Sequence, residues 1–178
     1  MNQIKLLEEQ RKILQGELDS QKDQAERNRL GQFATPGELA KQIIEYAVFL
    51  RGRSTKIRFL DPAIGTGAFF SALLNYFLPS DIAKAEGYEI DSHYAEPSEK
   101  LWSGTKLIIH KSDFTCADPP KTNNFKFNLI VCNPPYVRHH HISSADKLRL
   151  RQLVDSSGVK NFNGLSGLYC YFFLISNA

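Results

Sequence analysis

The chain has 178 residues, of which 42% are hydrophobic, 23% charged and 11% aromatic, a composition that excludes a disordered, collagen-like or low-complexity polymer and predicts one globular domain. With 22 basic and 19 acidic side chains the formal charge is only +3, which permits a nucleic-acid partner without requiring one. Cys116, Cys132 and Cys170 cannot build a disulfide framework and fit no zinc spacing, no apolar run approaches the roughly 20 residues of a membrane span, and the first residues lack the apolar stretch of a signal peptide, so the reading is a cytoplasmic protein in a reducing compartment with no resident metal.

Residues 1–30 read as one charged helix with a thin apolar stripe (Ile4, Leu7, Leu14, Leu18, with Ile13 beside them). So narrow a stripe predicts a solvated leader, or a helix that docks on a neighbouring domain or partner helix. Gly31-Gln32-Phe33-Ala34-Thr35-Pro36 breaks it. Thr35 is a good N-cap, Pro36 suits the first helical position and Glu38 the third, which predicts a helix from Pro36 to about Leu50 with Leu39, Ile43, Ala47 and Leu50 on its buried face. Strands are then expected at 57–60, 85–90, 106–110 and 127–132, with helices at 68–78, 93–102 and 167–178. Alternating strands and helices give an α/β fold, a doubly wound and mostly parallel sheet.

In such a sheet ligands bind beyond the carboxyl ends of the strands. Each predicted end carries a residue able to hold one: Asp61, Glu89, Asp113 and Asn133. After the first strand, Asp61 to Phe70 contains Gly65-Thr66-Gly67. It lacks the third glycine of a dinucleotide fingerprint and the Gly-Lys-Ser/Thr of a phosphate loop, so the turn suits a ligand without a pyrophosphate. Glu89 can accept from both hydroxyls of a ribose. Asp113 can accept from an exocyclic amine while Phe114 packs on a purine face. In Asn133-Pro134-Pro135-Tyr136 two prolines fix the backbone and remove two donors, leaving the Asn133 and Pro134 carbonyls free to accept from an NH₂ group beside the Tyr136 ring.

Taken together these segments resemble the S-adenosylmethionine-dependent amino-group DNA methyltransferases, specifically the gamma-class adenine-N6 enzymes that include restriction–modification proteins. Residues 31–36 look like the family's N-terminal cofactor motif, Asp61 to Phe70 its glycine motif, Gly87 to Asp91 its ribose-binding acid, Ser112-Asp113-Phe114 its adenine turn and Asn133 to Tyr136 its catalytic tetrapeptide. Ile64 stands where many members carry cysteine. The resemblance covers residues 31–140 and implies a Rossmann-like methyltransferase sheet. It implies S-adenosylmethionine held by Phe33, Thr35, Asp61, Pro62, Ala63, Gly65, Gly67, Glu89, Ile90, Asp113, Phe114 and Asn133. It implies catalysis by Asn133, Pro134, Pro135 and Tyr136 on an adenine flipped out of double-stranded DNA.

The stretch after the tetrapeptide is locally basic. Arg138, His139, Lys147, Arg149 and Arg151 are candidate phosphate contacts, and the run His139-His140-His141 is not expected to hold a metal, since successive residues seldom point at one ion. A second basic group (Arg51, Arg53, Lys56, Arg58) precedes the first strand and reads as solvated surface. Two other functions fit the same residues: methylation of RNA or of a protein glutamine, because the tetrapeptide grips any planar NH₂, and a non-catalytic cofactor-binding fragment or interaction module. Family sheets have seven strands and only four are visible here. The chain is therefore expected to be a truncated methyltransferase domain (31–178) behind its N-terminal helix, weakly active or inactive unaided. A missing C-terminal half, a nuclease or a specificity subunit are its expected partners, and no membrane is.

Overall fold

The computed structural model describes residues 3–51, 56–120, 122, 126–156, 159, 162 and 165–176. Its elements in chain order are α1 (Gln3–Ser20), α2 (Gln24–Leu30), α3 (Gly37–Arg51), β1 (Ile57–Asp61), α4 (Ala68–Leu73), β2 (Ile82–Tyr88), α5 (Ser92–Leu101), β3 (Leu107–His110), β4 (Leu129–Ile130), α6 (Ser144–Ser156) and α7 (Leu168–Ser176). Short 3₁₀ turns lie at 79–81, 114–116 and 139–141.

The four strands form one sheet in the order β3-β2-β1-β4, and every pairing is parallel. The reversal of strand order beside β1 opens a crevice at the carboxyl ends of β1 and β4, where ligands bind in sheets of this kind. On one face Phe59, Ile57 and Ile82 pack under α4 (Phe69, Phe70, Leu73), α3 (Ala40, Ile44) and Trp102. On the other, Leu60 meets Phe114 and Phe172 of α7. α6 and α7 share a small core of their own around Ile142, Leu150, Val154 and Tyr171.

Several expectations need correction. The N-terminal segment is two helices, not one. Asp23 caps α2 through a reciprocal pair with Glu26, and that competing local bonding ends α1 at Ser20. α1 is not a solvated leader. Ile4, Leu7 and Leu18 pack on α4 and α5 of the same chain, and Arg11 is 3% exposed. The buried face of α3 is Ala40, Ile44, Ala47 and Val48. The expected face is displaced outward, with Leu39, Ile43 and Leu50 exposed, because the missing side-chain bulk at Ala40 is what lets α3 lie against α4. β4 is two residues long where six were expected. Before it, the Asn128 side chain takes over the ladder, accepting from the Arg58 N–H (2.8 Å) and donating to the Lys56 carbonyl (2.9 Å). After it, the Val131 N–H still donates to Leu60 O (3.0 Å), and the prolines end pairing. α4 stops at Leu73, and β2 starts three residues earlier than its pattern suggested. In the second basic group, Arg53 lies outside the described residues and the Arg58 guanidinium donates to the Lys126 carbonyl (2.5 Å).

Candidate active site

The strand ends converge as the sequence predicted. Asp61 closes β1 and is 1% exposed, with the Ala63 N–H donating to it at 3.2 Å. Burial pushes its carboxyl up to about 8, and the charge of Glu89 adds to the rise. Glu89 follows β2 and is fixed by two backbone donors, the Gly65 N–H at 3.2 Å and the Asp91 N–H at 2.9 Å. Burial still raises its carboxyl above the ordinary range. The glycine turn and the end of β2 are thereby one structure: the Gly65 amide holds the Glu89 carboxylate, and the Ile64 N–H donates to Tyr88 O (2.9 Å).

Past β3, Asp113 accepts from the Thr115 N–H (2.8 Å) and hydroxyl (2.8 Å). Arg149 reaches over from α6 to donate to Asp113 (3.2 Å) and to the Thr115 carbonyl (3.0 Å). Phe114 sits between the Tyr88 ring (5.3 Å) and the Phe172 ring (5.6 Å). Past β4, the Asn133 amide nitrogen donates to Phe33 O (3.2 Å) and to the Thr35 hydroxyl oxygen (3.1 Å). With both N–H groups so engaged, Oδ1 is the Asn133 atom left to accept from a ligand. The segment 31–35 lies across the tetrapeptide: the Tyr136 N–H donates to Gly31 O (3.2 Å), Phe33 meets the Tyr136 ring edge-on at 6.0 Å, and a Cβ on Gly31, whose φ is +64°, would collide with the Tyr136 backbone.

These residues enclose a cavity of about 190 Å³. Phe33, Pro62, Ala63, Gly65, Glu89, Ile90, Asp113, Phe114, Asn133 and Pro135 line it. A smaller adjoining space of about 50 Å³ is lined by Thr35, Asp61, Thr66 and Asn133 among others. Three expected residues stand outside both. Gly67 (φ +88°) is needed for close approach to the Trp102 ring, whose Nε1–H donates to Thr66 O (2.9 Å). Pro134 does not line the cavity, and Tyr136 is 56% exposed beside it. Of the basic candidates, Arg149 is drawn inward to Asp113, while Arg138 and Arg151 are exposed and His139 and Lys147 half-buried. Among the described residues no group of three or more His, Cys, Asp or Glu side chains has a metal-holding arrangement, and no helix is long and apolar enough to cross a membrane. Burial pushes the Cys132 thiol far up, which keeps it un-ionised.

The sequence reading missed the contribution of α1 and α7. Gln15 and Asp19 of α1, Tyr94 of α5 and Leu168 and Phe172 of α7 all line the larger cavity. A signal for α1 was present: Arg11, Gln15 and Asp19 repeat every four residues beside the Leu7–Leu14–Leu18 stripe, so one helix face is half apolar and half hydrogen-bonding.

The family model described as Eco57I restriction-modification methylase matches residues 38–177. The chain belongs to this family. Among curated proteins it is similar to the type II methyltransferase M.HincII of Haemophilus influenzae (27% identity over 155 residues, 87% of this chain) and to M.AccI of Acinetobacter calcoaceticus (26% identity, 84% of this chain). The chain spans about a quarter of the length of these relatives (26% of each). Among solved structures, a putative class I S-adenosylmethionine-dependent methyltransferase from Listeria monocytogenes shares the fold with a TM-score of 0.67 at 17% identity, covering 96% of this chain and 49% of the other. The methyltransferase subunit of a type I restriction-modification system from Streptococcus thermophilus does so with a TM-score of 0.63 at 19% identity, over 82% of this chain and 31% of that one. The four-stranded parallel sheet is therefore the Rossmann-like sheet of the methyltransferase fold.

Proposed function

We propose that this chain is the cofactor-binding and catalytic part of a restriction–modification DNA methyltransferase that moves a methyl group from S-adenosylmethionine to the N6 amine of adenine. The observation that carries the reading is the lock on Asn133. Its amide nitrogen is committed to Phe33 O and Thr35, so its carbonyl oxygen is the side-chain atom left to accept from a ligand in the cavity that Asn133 lines.

The cavity suits this cofactor chemically. Among the described residues no lysine, arginine or histidine lines either space, which disfavours a pyrophosphate-bearing ligand, whereas Asp19 and Asp113, with Asp61 and Glu89 when ionised, suit a cationic nucleoside. Gly65 is open to ligand approach, with nothing within 4 Å of where a Cβ would stand. When bound, S-adenosylmethionine supplies a methyl group activated by its sulfonium. The chain's own residues do the rest. Glu89, already oriented by the Gly65 and Asp91 amides, accepts from ribose hydroxyls. Asp113 accepts from the adenine of the cofactor and Phe114 packs on its face. Asn133 Oδ1 and the Pro134 carbonyl accept from the two N–H groups of the target amine, and Tyr136 offers a ring for the base to stack on. Phe33 covers the space between. Little acid–base chemistry is asked of the protein. Orientation of the nucleophile supplies most of the acceleration.

DNA as substrate rests on the family and on two exposed arginines, Arg138 just after the tetrapeptide and Arg151 on α6. The test is transfer of labelled methyl to duplex DNA, tRNA and protein in parallel, with the modified nucleoside identified by mass spectrometry. N6-methyladenine in DNA is expected. Label confined to RNA or to glutamine would overturn the substrate assignment.

A further inference from the structure

α1 precedes the segment matched by the family model, yet it is built into the cavity wall. Its attachment is polar. Arg11, held by two bonds to Glu8 (2.7 and 2.8 Å), donates to the Thr66 hydroxyl (3.2 Å) in the glycine turn. The Thr66 hydroxyl donates in turn to Gln15 Oε1 (2.6 Å), and Gln15 Nε2 donates to Asp19 Oδ1 (2.8 Å), which also accepts from the Tyr94 hydroxyl (2.8 Å). The chain of bonds fixes the Gln15 amide in one orientation at the seam between the two spaces, both of which it lines.

The smaller, more polar space has four neutral side chains with a donor group: Gln15, Thr35, Thr66 and Asn133. The Thr66 hydroxyl is spent on Gln15, and both Asn133 N–H groups are spent on Phe33 and Thr35. That leaves the Thr35 hydroxyl and the second N–H of Gln15. Asp61 in the same space is an acceptor once ionised, suited to an ammonium and repelling a carboxylate. Beside the backbone amides, the Thr35 hydroxyl and this Gln15 N–H are the uncommitted neutral side-chain donors that a ligand carboxylate would meet there.

The geometry points to Gln15 as a cofactor-binding residue supplied from outside the matched domain: its free N–H takes the α-carboxylate of the amino-acid end of the nucleoside. The inference rests on the cofactor reading above and extends it to α1.

Calorimetry with two ligands tests it. S-adenosylhomocysteine carries the amino-acid end, and 5′-methylthioadenosine keeps the nucleoside and thioether without it. Gln15→Leu should weaken S-adenosylhomocysteine about tenfold, the loss of one hydrogen bond to a charged group, and leave methylthioadenosine within about twofold. Gln15→Glu keeps the side-chain shape, places a negative charge against the carboxylate, and should weaken only S-adenosylhomocysteine, by more. Equal weakening of both ligands in both variants, or of neither, overturns the inference and leaves α1 as a structural wall. A wild-type chain that binds neither ligand overturns the cofactor reading itself and this inference with it.

Discussion

The two ends of the cavity are fastened in opposite ways. The end around Asp61 is held from α1 by polar groups, Arg11 and Thr66 buried and Glu8 and Gln15 half-buried. The end around Asp113 is held from α7 by packed rings, with Phe114 edge-on to Tyr88 and tilted against Phe172. A polar clamp works only in one geometry and is sensitive to protonation. An aromatic one tolerates small shifts and depends on filled volume. The first suits an end that must orient charged groups, the second an end that must sandwich a flat base.

The sharpest way to break the comparison is pH, which should act on the polar end and hardly on the aromatic one. Asp61 has its pKa raised from 3.8 to about 8 in the fold. Between those values the folded chain keeps a proton that the unfolded chain has lost, so Asp61 makes stability fall as pH rises from about 4 to about 8, by on the order of 5 kcal/mol at most. Asp61→Asn removes the titration. Urea midpoints taken across that range should decline for wild type relative to the variant. Parallel pH profiles would mean Asp61 ionises freely in the fold. Glu8 acts in the other direction. Burial, the largest single influence, would raise it, but the Arg11 hydrogen bonds, a bond from Ser71 and the charges of Arg11 and Lys12 together outweigh burial and hold its carboxyl below the usual range, so its contribution is lost as pH falls.

Next in size is the anchor of the polar end. Arg11 is almost wholly buried, and its replacement strands Glu8, so Arg11→Met should cost about 3–5 kcal/mol in global unfolding. The double variant Arg11→Met, Glu8→Leu should recover much of that. At the aromatic end, Phe172→Ala opens a cavity worth about 3 kcal/mol. Because α6 and α7 have their own small core, the loss should fall on that unit: amide exchange should quicken across 144–156 and 168–176 with little change in β1 and β2. Uniform quickening throughout the sheet would show that the two ends are not separately fastened.

The same contrast explains what was legible in the sequence. Asp61, Glu89, Asp113 and Asn133 were readable because a parallel sheet delivers each strand end to one edge, and local pattern fixes where a strand ends. The face of α3 was not, since Leu39, Ile43 and Leu50 make a better apolar stripe than the Ala40–Ile44 face that packs. Only the closeness of α4 favours the smaller residues. Gly67 was assigned to the ligand because glycine turns beside ligands and glycines beside a tryptophan ring look alike along the chain. The α1 clamp was missed for a related reason: Gln15 and Asp19 are ordinary solvent residues by type, and what draws them into the cavity wall is a bond from Thr66, 51 positions from Gln15, passed on from Gln15 to Asp19.

The smallest expected effect separates two arginines that sequence placed in one basic patch. Arg149 and Arg151 are two apart on α6 and so face nearly opposite ways. Arg149 is about one-third exposed and bonded to Asp113 and Thr115. Arg151 is exposed. Arg149→Gln gives up a partly screened pair, about 1 kcal/mol, which should lower the melting temperature by about 2–4 °C and weaken affinity for methylthioadenosine by no more than a few-fold. Arg151→Gln should leave that affinity alone and instead lower the salt dependence of DNA binding by about one phosphate contact. A cofactor defect in Arg151→Gln, or a changed salt slope in Arg149→Gln, would reverse the assignment and turn the inward face of α6 toward DNA. The aromatic end of the cavity would then have lost its only polar fastening among the described residues of α6, leaving Asp113 held by its own turn alone.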